Sequence, residues 1–411
     1  MQKREKAGDV LALAGLAAQI ILENGAETYR VEDTVQRLCR SYGFEDTEVL
    51  ALSTGVVVSI TVPGHNETVI RRVSKRQMDL WRVNAVNALS RQVAQKGVPL
   101  AEARARMEAI ARRQAMGDQW MIPAAALVAA SFALMFGGGW LEFCVALAAG
   151  AAAQAVAYAF RRAEISLVLS SLTGGLVCSA VTMLAFYLFG LSPASVETIL
   201  SGAIMPLISG LMMTNAVRDA LRGDLLSAMA RGMEALLVAV MVALGISLLL
   251  RFYLPVEVEP LAEPGWAMAV VTAGLATLFF CPLLDAPPRA MAPSALLGMV
   301  SYGLYLALRD AAMVGETLSL FFTAAAIALL CALMARRMRM ITTIFLCAAM
   351  IPLVPGLGLF RTMRALLLAQ YDMAISAGLQ TLFAVGAIAL GAALGSMRLH
   401  KPKRARPEKE R

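Results

Sequence analysis

Beyond residue 120 the chain is a succession of apolar stretches. Each is close to the ~20 residues that a helix needs to cross a bilayer. Ten can be drawn, at 121–139, 141–160, 165–190, 196–217, 228–250, 266–284, 290–308, 316–335, 341–360 and 374–396. Before residue 120 the pattern differs. Val10 to Leu22 is almost wholly apolar but too short to span, and it ends at Asn24-Gly25, a helix C-cap signal. Val31, Val35, Leu38 and Tyr42 then recur at helical spacing, with Thr28 as N-cap and Gly43 as stop. Val49 to Val62 holds a β-branched run, Pro63-Gly64-His65-Asn66 turns, and Thr68 to Val73 returns as the second strand of a hairpin. Asp79 to Lys96 reads as a helix closed by Gly97, and Pro99 opens another. The expectation is a mostly α membrane protein of ten transmembrane helices, headed by a small α+β domain of two helices, a hairpin and two helices.

Charge sharpens this division. Of 411 residues 59% are hydrophobic, against roughly 45–50% in soluble domains, and mean hydropathy is +0.66. Residues 1–120 carry 17 Lys+Arg and 14 Asp+Glu, whereas residues 121–397 carry 13 of each in more than twice the length. The last fourteen residues hold seven Lys+Arg against two Glu. The expected units are a cytoplasmic domain at 1–118, membrane blocks at 119–258 and 259–397, and a basic tail at 398–411. The net charge of +8 reads as cytoplasmic-side anchoring, and without basic–aromatic interleaving no nucleic-acid partner is expected. Six scattered Cys and only two His, His65 and His400, give no metal or cofactor site and no disulfide framework. Lys3, Arg4 and Lys6 before a helix interrupted by Glu23, with no small-residue cleavage site, read as no signal peptide.

One stretch occurs twice. Pro206-Leu-Ile-Ser-Gly-Leu is followed by Arg218 and Gly232; Pro352-Leu-Val-Pro-Gly-Leu is followed by Arg364 and Gly378. All four Pro, Gly and Arg matches are displaced by the same 146 positions. Five spans separate the copies, and an odd number reverses direction, so the reading is a 5+5 inverted-topology repeat of the kind secondary transporters use. Lys/Arg placement favours both termini inside, with Arg309, Arg361 and Arg364 as outside exceptions; pseudo-symmetry makes Arg364 the mirror partner of Arg218.

Pro206, Gly210, Pro352 and Gly356 mark interrupted helices. Freed backbone groups are tolerated there only against protein or a watery cavity, so these positions are candidate substrate-path residues. Beside them lie Arg218, Asp219, Asp224, Arg231 and Glu234, then Arg364 and Asp372. An Arg can take a carboxylate bidentately, and a desolvated carboxylate can carry a proton; the competing reading is interfacial charge that snorkels to water. Gln154, mid-span among alanines, either bonds across helices or lines the path. In the head, Glu27, Thr28, Arg30 and Glu32 form either a helix start with local ion pairs or a ligand or docking site. Asn84, Asn87 and Arg91 read as a solvated helix face, and His65 as a turn residue.

Gly25-Ala-Glu-Thr-Tyr-Arg-Val-Glu32 at the head of a basic α+β domain, followed by five spans ending in the Pro206 stretch and five ending in the Pro352 stretch, resembles the threonine/serine exporter family of bacterial inner-membrane carriers. The resemblance covers about residues 8–398. It implies export of L-threonine and L-serine driven by the proton motive force, with small-molecule substrate, protons and lipid bilayer as partners and a homo-oligomer allowed. Its motif residues here are Gly25, Ala26, Glu27, Thr28, Arg30 and Glu32. Some split relatives are associated with dicarboxylate export, which stays open as an alternative. A membrane-tethered hydrolase and a purely regulatory head are the readings from other classes.

Overall fold

The computed structural model describes residues 2–52, 54–73, 77–113, 120–207, 210–221, 223–250 and 264–397. The side chain of Arg218, together with Arg222, Arg251, the Glu257/Glu259/Glu263 loop, the 118/119 boundary and the basic tail, lies outside the described residues.

The head begins with α1 (Gln2–Glu23) and α2 (Thr28–Ser41). Gly25 makes the turn between them at φ +84, a left-handed conformation that glycine adopts without strain. β1 (Thr47–Leu52), β2 (Gly55–Val62) and β3 (His65–Arg72) form an antiparallel sheet in that order. The expected two-stranded hairpin is therefore a three-stranded meander. β1 was merged with β2 into one run because the chain reverses tightly between Leu52 and Gly55, which pair across the sheet, with no Pro or Asn-Gly to mark the turn. Val56, Val58, Ile60 and Val62 alternate inward, and α1 lies across β2 and β3. α3 (Leu80–Lys96) starts at the Asp79 cap, whose carboxylate accepts from Arg82 N at 2.8 Å, and stops at Gly97 in the left-handed region. α4 (Leu100–Arg112) packs on α1 and α3.

The body comprises α5 (Met121–Met135), α6 (Trp140–Arg162), α7 (Leu167–Phe189), α8 (Pro193–Ile204), α9 (Gly210–Leu221), α10 (Leu225–Leu250), α11 (Trp266–Leu283), α12 (Pro288–Leu306), α13 (Glu316–Met338), α14 (Thr342–Met350), α15 (Gly356–Leu367) and α16 (Tyr371–Met397). Among the described residues seven helices are long and apolar enough to cross a membrane: α6, α7, α10, α11, α12 with its π-helical end, α13 and α16. α14 and α15 make an eighth if taken as one span, bent by 50° at Pro352–Pro355. At 15 residues α5 falls short of the spanning length, and α8 and α9 have 12 residues each. The structure thus carries a multi-pass membrane body of seven or eight candidate spans.

Neighbours pack in a regular pattern. α5 lies on α6 and α8, α6 on α7 and α8, α7 on α8 and α10, and α9 on α10. In the second half α11 lies on α12 and α14, α12 on α13 and α14, α13 on α14 and α16, and α15 on α16. The halves meet along α5–α11, α9–α16 and α10–α15.

Small residues permit the closest of these contacts. A Cβ at Gly245 would stand 2.1 Å from Leu172 O, and one at Gly391 2.3 Å from Phe321 O, whereas one at Gly386 meets nothing within 4 Å. Gly245→Leu and Gly391→Leu are each expected to lower the thermal midpoint in detergent by several degrees, the cost of overpacking being about 1–3 kcal/mol. Gly386→Leu should leave it within error. A midpoint equally tolerant of all three would contradict this packing.

Candidate functional site

Two polar assemblies lie at opposite ends of the body, joined by the length of α11. Leu284, just past its C-terminus, touches the head, and Trp266, at its N-terminus, lines a cavity; eighteen residues of helix span about 27 Å.

At the head end, helix termini satisfy one another. The N–H groups of Leu80 and Trp81, orphaned at the start of α3, donate to Leu284 O and Asp285 O past the end of α11, each at 3.0 Å. The Asn84 side-chain oxygen Oδ1 accepts from Ile341 N at 3.1 Å, just before α14. Asn87 is buried, with Arg37 Nη1 donating to it at 3.5 Å. The expected solvated face is therefore corrected for these two residues: Asn84 is a docking contact and Asn87 an internal one, while Arg91 is exposed.

The head motif docks beside them. Thr28 is the first residue of α2 rather than its N-cap, which is Glu27. This frees the Thr28 hydroxyl to donate to Asp224 Oδ2 at 2.5 Å. Asp224 in turn caps α10, accepting from Ser227 N at 3.2 Å. Arg30 joins Glu27 at 3.1 Å and donates to Thr343 Oγ1 of α14 at 2.9 Å; that hydroxyl donates to Glu27 Oε1 at 3.3 Å. Arg231 of α10 lies 3.4 Å from Asp219 and donates to Ala26 O at 2.8 Å. Glu27 is 3% exposed and Asp219 1%, so these charges are stabilised by their partners rather than by water. Burial pushes the Glu32 carboxyl above its ordinary range, opposed by a backbone hydrogen bond from Ala51 and reinforced by the Asp224 carboxylate. The head motif and the charges around α9 and α10, separate in the sequence, are thus one assembly. It holds the first half through α10 and the second through α14. His65 stands exposed at its turn, 3.4 Å from Glu67.

The other end opens into a cavity of about 720 Å³, within the usual range for small-molecule sites. Its walls come from α8 (Glu197, Thr198, Ser201), α11 (Trp266), the end of α12 (Tyr302, Arg309, Asp310), the start of α13 (Glu316), α15 (Leu357, Arg361, Arg364) and the start of α16. Three Arg and three acids line it. Arg361 pairs with Glu197 at 3.3 Å, and Arg309 with its neighbour Asp310.

The expected site residues are therefore divided. Thr28, Glu27, Arg30, Asp219 and Asp224 meet at the head end, with Glu32 beside them. Arg364 lines the cavity. Pro206, half-buried, and the buried Pro352 and Gly356 lie at or beside the breaks between. Gly210 begins α9, which also carries Arg218. Glu234 lies half-buried on α10, Gln154 half-buried on α6, and Asp372 exposed in the first turn of α16; none of the three is among the cavity-lining residues. Sequence reasoning missed Thr343, Glu197, Ser201 and Glu316 as functional candidates. Glu197 and Thr343 occupy equivalent positions, 146 apart, so carrying the repeat through its polar residues as well as its Pro and Gly would have found both.

Comparison with known proteins places this geometry. A family model described as a putative threonine/serine exporter matches residues 12–253, the head together with α5–α10. The chain belongs to the threonine/serine exporter family. A second model, also described as a threonine/serine exporter, matches residues 269–397, so the family's own division falls between α10 and α11. The chain is 26% identical over 372 residues to a probable threonine/serine exporter of Mycobacterium tuberculosis, covering 87% of this chain and 70% of the relative. It is 24% identical over 423 residues to a threonine/serine exporter of Corynebacterium glutamicum, covering 97% and 84%. No solved structure matches.

The Thr28–Asp224 contact gives this exporter-family chain a direct test. Thr28→Val, Asp224→Ala and the double variant form a cycle whose thermal midpoints report coupling. A hydrogen bond to a charged group contributes about 1.5–3 kcal/mol, so the double variant should be little less stable than the worse single one. Strict additivity would mean that head and body do not meet there.

Proposed function

We propose that the protein exports small hydroxy amino acids, L-threonine and L-serine, as a proton-coupled secondary transporter that alternates access between two five-helix halves of opposite orientation. The observation that carries this reading is the direction of the two broken elements. α8–α9 runs from the cavity, at Ala194 and Glu197, to the head end, at Asp219. α14–α15 runs from the head end, at Thr343, to the cavity, at Arg361 and Arg364. Interrupted helices crossing in opposite directions are the expected frame of an alternating-access site.

The correspondence between halves supports it further. α9 and α15 have the same length and begin at Gly210 and Gly356. The turns that follow hold Gly223 and Ala369 in the left-handed region, 146 positions apart; alanine tolerates that region poorly, so the shape of the turn outlasts the glycine. Each helix contact in the first half has its counterpart in the second, and α9–α16 is the counterpart of α15–α10.

In this arrangement the head end is closed and the cavity end open. Arg161, Arg162, Arg289, Arg336, Arg337 and Arg339 lie at helix ends on the head side, which supports a cytoplasmic head in a bacterial cytoplasmic membrane. The cavity then faces outward and releases substrate. Its balance of three cations and three anions suits a zwitterion better than a dianion, which argues for amino acids over dicarboxylates. Asp219 is our candidate proton carrier. Arg231 stabilises its ionised form here, and separation of the pair when the head end opens would leave a desolvated carboxylate that takes up a proton.

Vesicles reconstituted with the protein should show saturable threonine or serine flux that collapses on adding an uncoupler. Flux that persists at full rate after uncoupling would remove the proton from the mechanism; no flux of either amino acid would contradict the export reading.

A further inference from the structure

We infer that the outer cavity is an amino-acid site in which Arg364 takes the α-carboxylate, Glu316 the α-ammonium, and Ser201 the side-chain hydroxyl. The inference rests on the export reading and assigns the site's chemistry residue by residue.

The assignment follows from which polar groups in the cavity are already engaged. Arg361 is tied to Glu197, and Arg309 to Asp310. Thr198 donates its hydroxyl to Ala194 O at 3.1 Å within its own helix. Among the described residues, Arg364, Glu316, Ser201 and the neutral amide of Gln370 line the cavity with no side-chain hydrogen bond or close ion pair, Glu197 acting on Arg364 only at longer range. Arg364 is half-buried near the end of α15, between the buried Thr362 and Ala365. Glu197, the carboxylate that acts on it, is already ion-paired with Arg361, so the planar guanidinium of Arg364 is left to match an incoming carboxylate with two parallel hydrogen bonds. Glu316 stands in the first turn of α13, where it presents a carboxylate acceptor to an ammonium group in the cavity. Ser201 is 2% exposed as a residue, yet it forms part of the cavity wall. A hydroxyl there can donate to or accept from a substrate hydroxyl, and leaving it unpaired beside an apolar side chain disfavours that substrate.

These three groups together select a ligand class. A small molecule with both a carboxylate and an ammonium offers Arg364 and Glu316 one partner each, and a short hydroxylated side chain offers one to Ser201. A dicarboxylate would bring its second negative charge among Glu197, Asp310 and Glu316.

The test uses the full-length protein in detergent, with labelled L-threonine as probe, and reads competition by L-threoninamide, 2,3-dihydroxybutanoate and L-2-aminobutanoate. These lack the carboxylate charge, the ammonium and the hydroxyl respectively. The wild type should prefer threonine over each by roughly tenfold or more for the charged groups, and by a few-fold for the hydroxyl. Arg364→Gln should abolish only the preference over the amide, with Arg364→Lys restoring part of it. Glu316→Gln should abolish only the preference over the hydroxy acid, and Ser201→Ala only that over aminobutanoate. Ser201→Ala removes one atom and serves as the variant least exposed to misfolding. Retention of all three wild-type preferences in the variants, while wild-type vesicles still export threonine, would overturn the site and leave the export reading standing. A wild type with neither binding nor flux would overturn both.

Discussion

A chain that interrupts its helices inside a membrane has to pair the freed backbone groups without water, and this constraint organises the body. At the α14–α15 break Pro352 and Pro355 bring no N–H to satisfy. Val354 N bonds back to Met350 O and Ile351 O, Gly356 N closes a tight turn on Val354 O at 2.8 Å, and Leu359 N reaches Pro355 O at 3.1 Å. Pro352 and Leu353 are buried in protein on one side of the bend, and Leu357 lines the cavity on the other. The break is tolerated because one face is packed and the other is open to the cavity. The cavity wall therefore includes backbone just past this irregular stretch.

The head has the complementary role. It meets the membrane body where helix termini leave donors and acceptors without partners: the start of α3 against the end of α11, the start of α2 against the starts of α10 and α14. Because α10 and α14 belong to different halves, the same few side chains hold both. A buried network of this kind is costly to leave half-paired, since Glu27 and Asp219 have almost no access to water. The alternating access we propose would require this network to separate as a unit or to exchange partners.

Much of this was legible in the sequence, for physical reasons. Apolar length marked the segments, and the Pro–Gly stretches marked both breaks, because only those residue types interrupt a membrane helix cheaply. The threonine/serine exporter resemblance, carried by Gly25 to Glu32 and the two-block order, is the family found by comparison. The edge strand β1 was not legible apart from β2, because the reversal between Leu52 and Gly55 carries no Pro or Asn-Gly, nor was the shortness of α8 and α9. The joining of the head motif to Asp224 and Thr343 was hidden because it depends on contacts 196 and 313 residues apart in the chain. Arg361 was read only as a charge on the outer side; its partner Glu197 lies in the other half, so the pair exists only once the halves are packed.

The central claim is that equivalent points of the two halves face opposite sides of the membrane. Leu226 and Asp372 are such points, 146 positions apart and both exposed in the first turn of α10 and of α16. Single cysteines there, in a chain with the exposed Cys144 replaced by serine and its other five cysteines buried, report sidedness directly. In oriented vesicles a membrane-impermeant thiol reagent should reach Asp372→Cys only from the face away from the head and Leu226→Cys only from the head's own face. Labelling of both from one face would contradict the account.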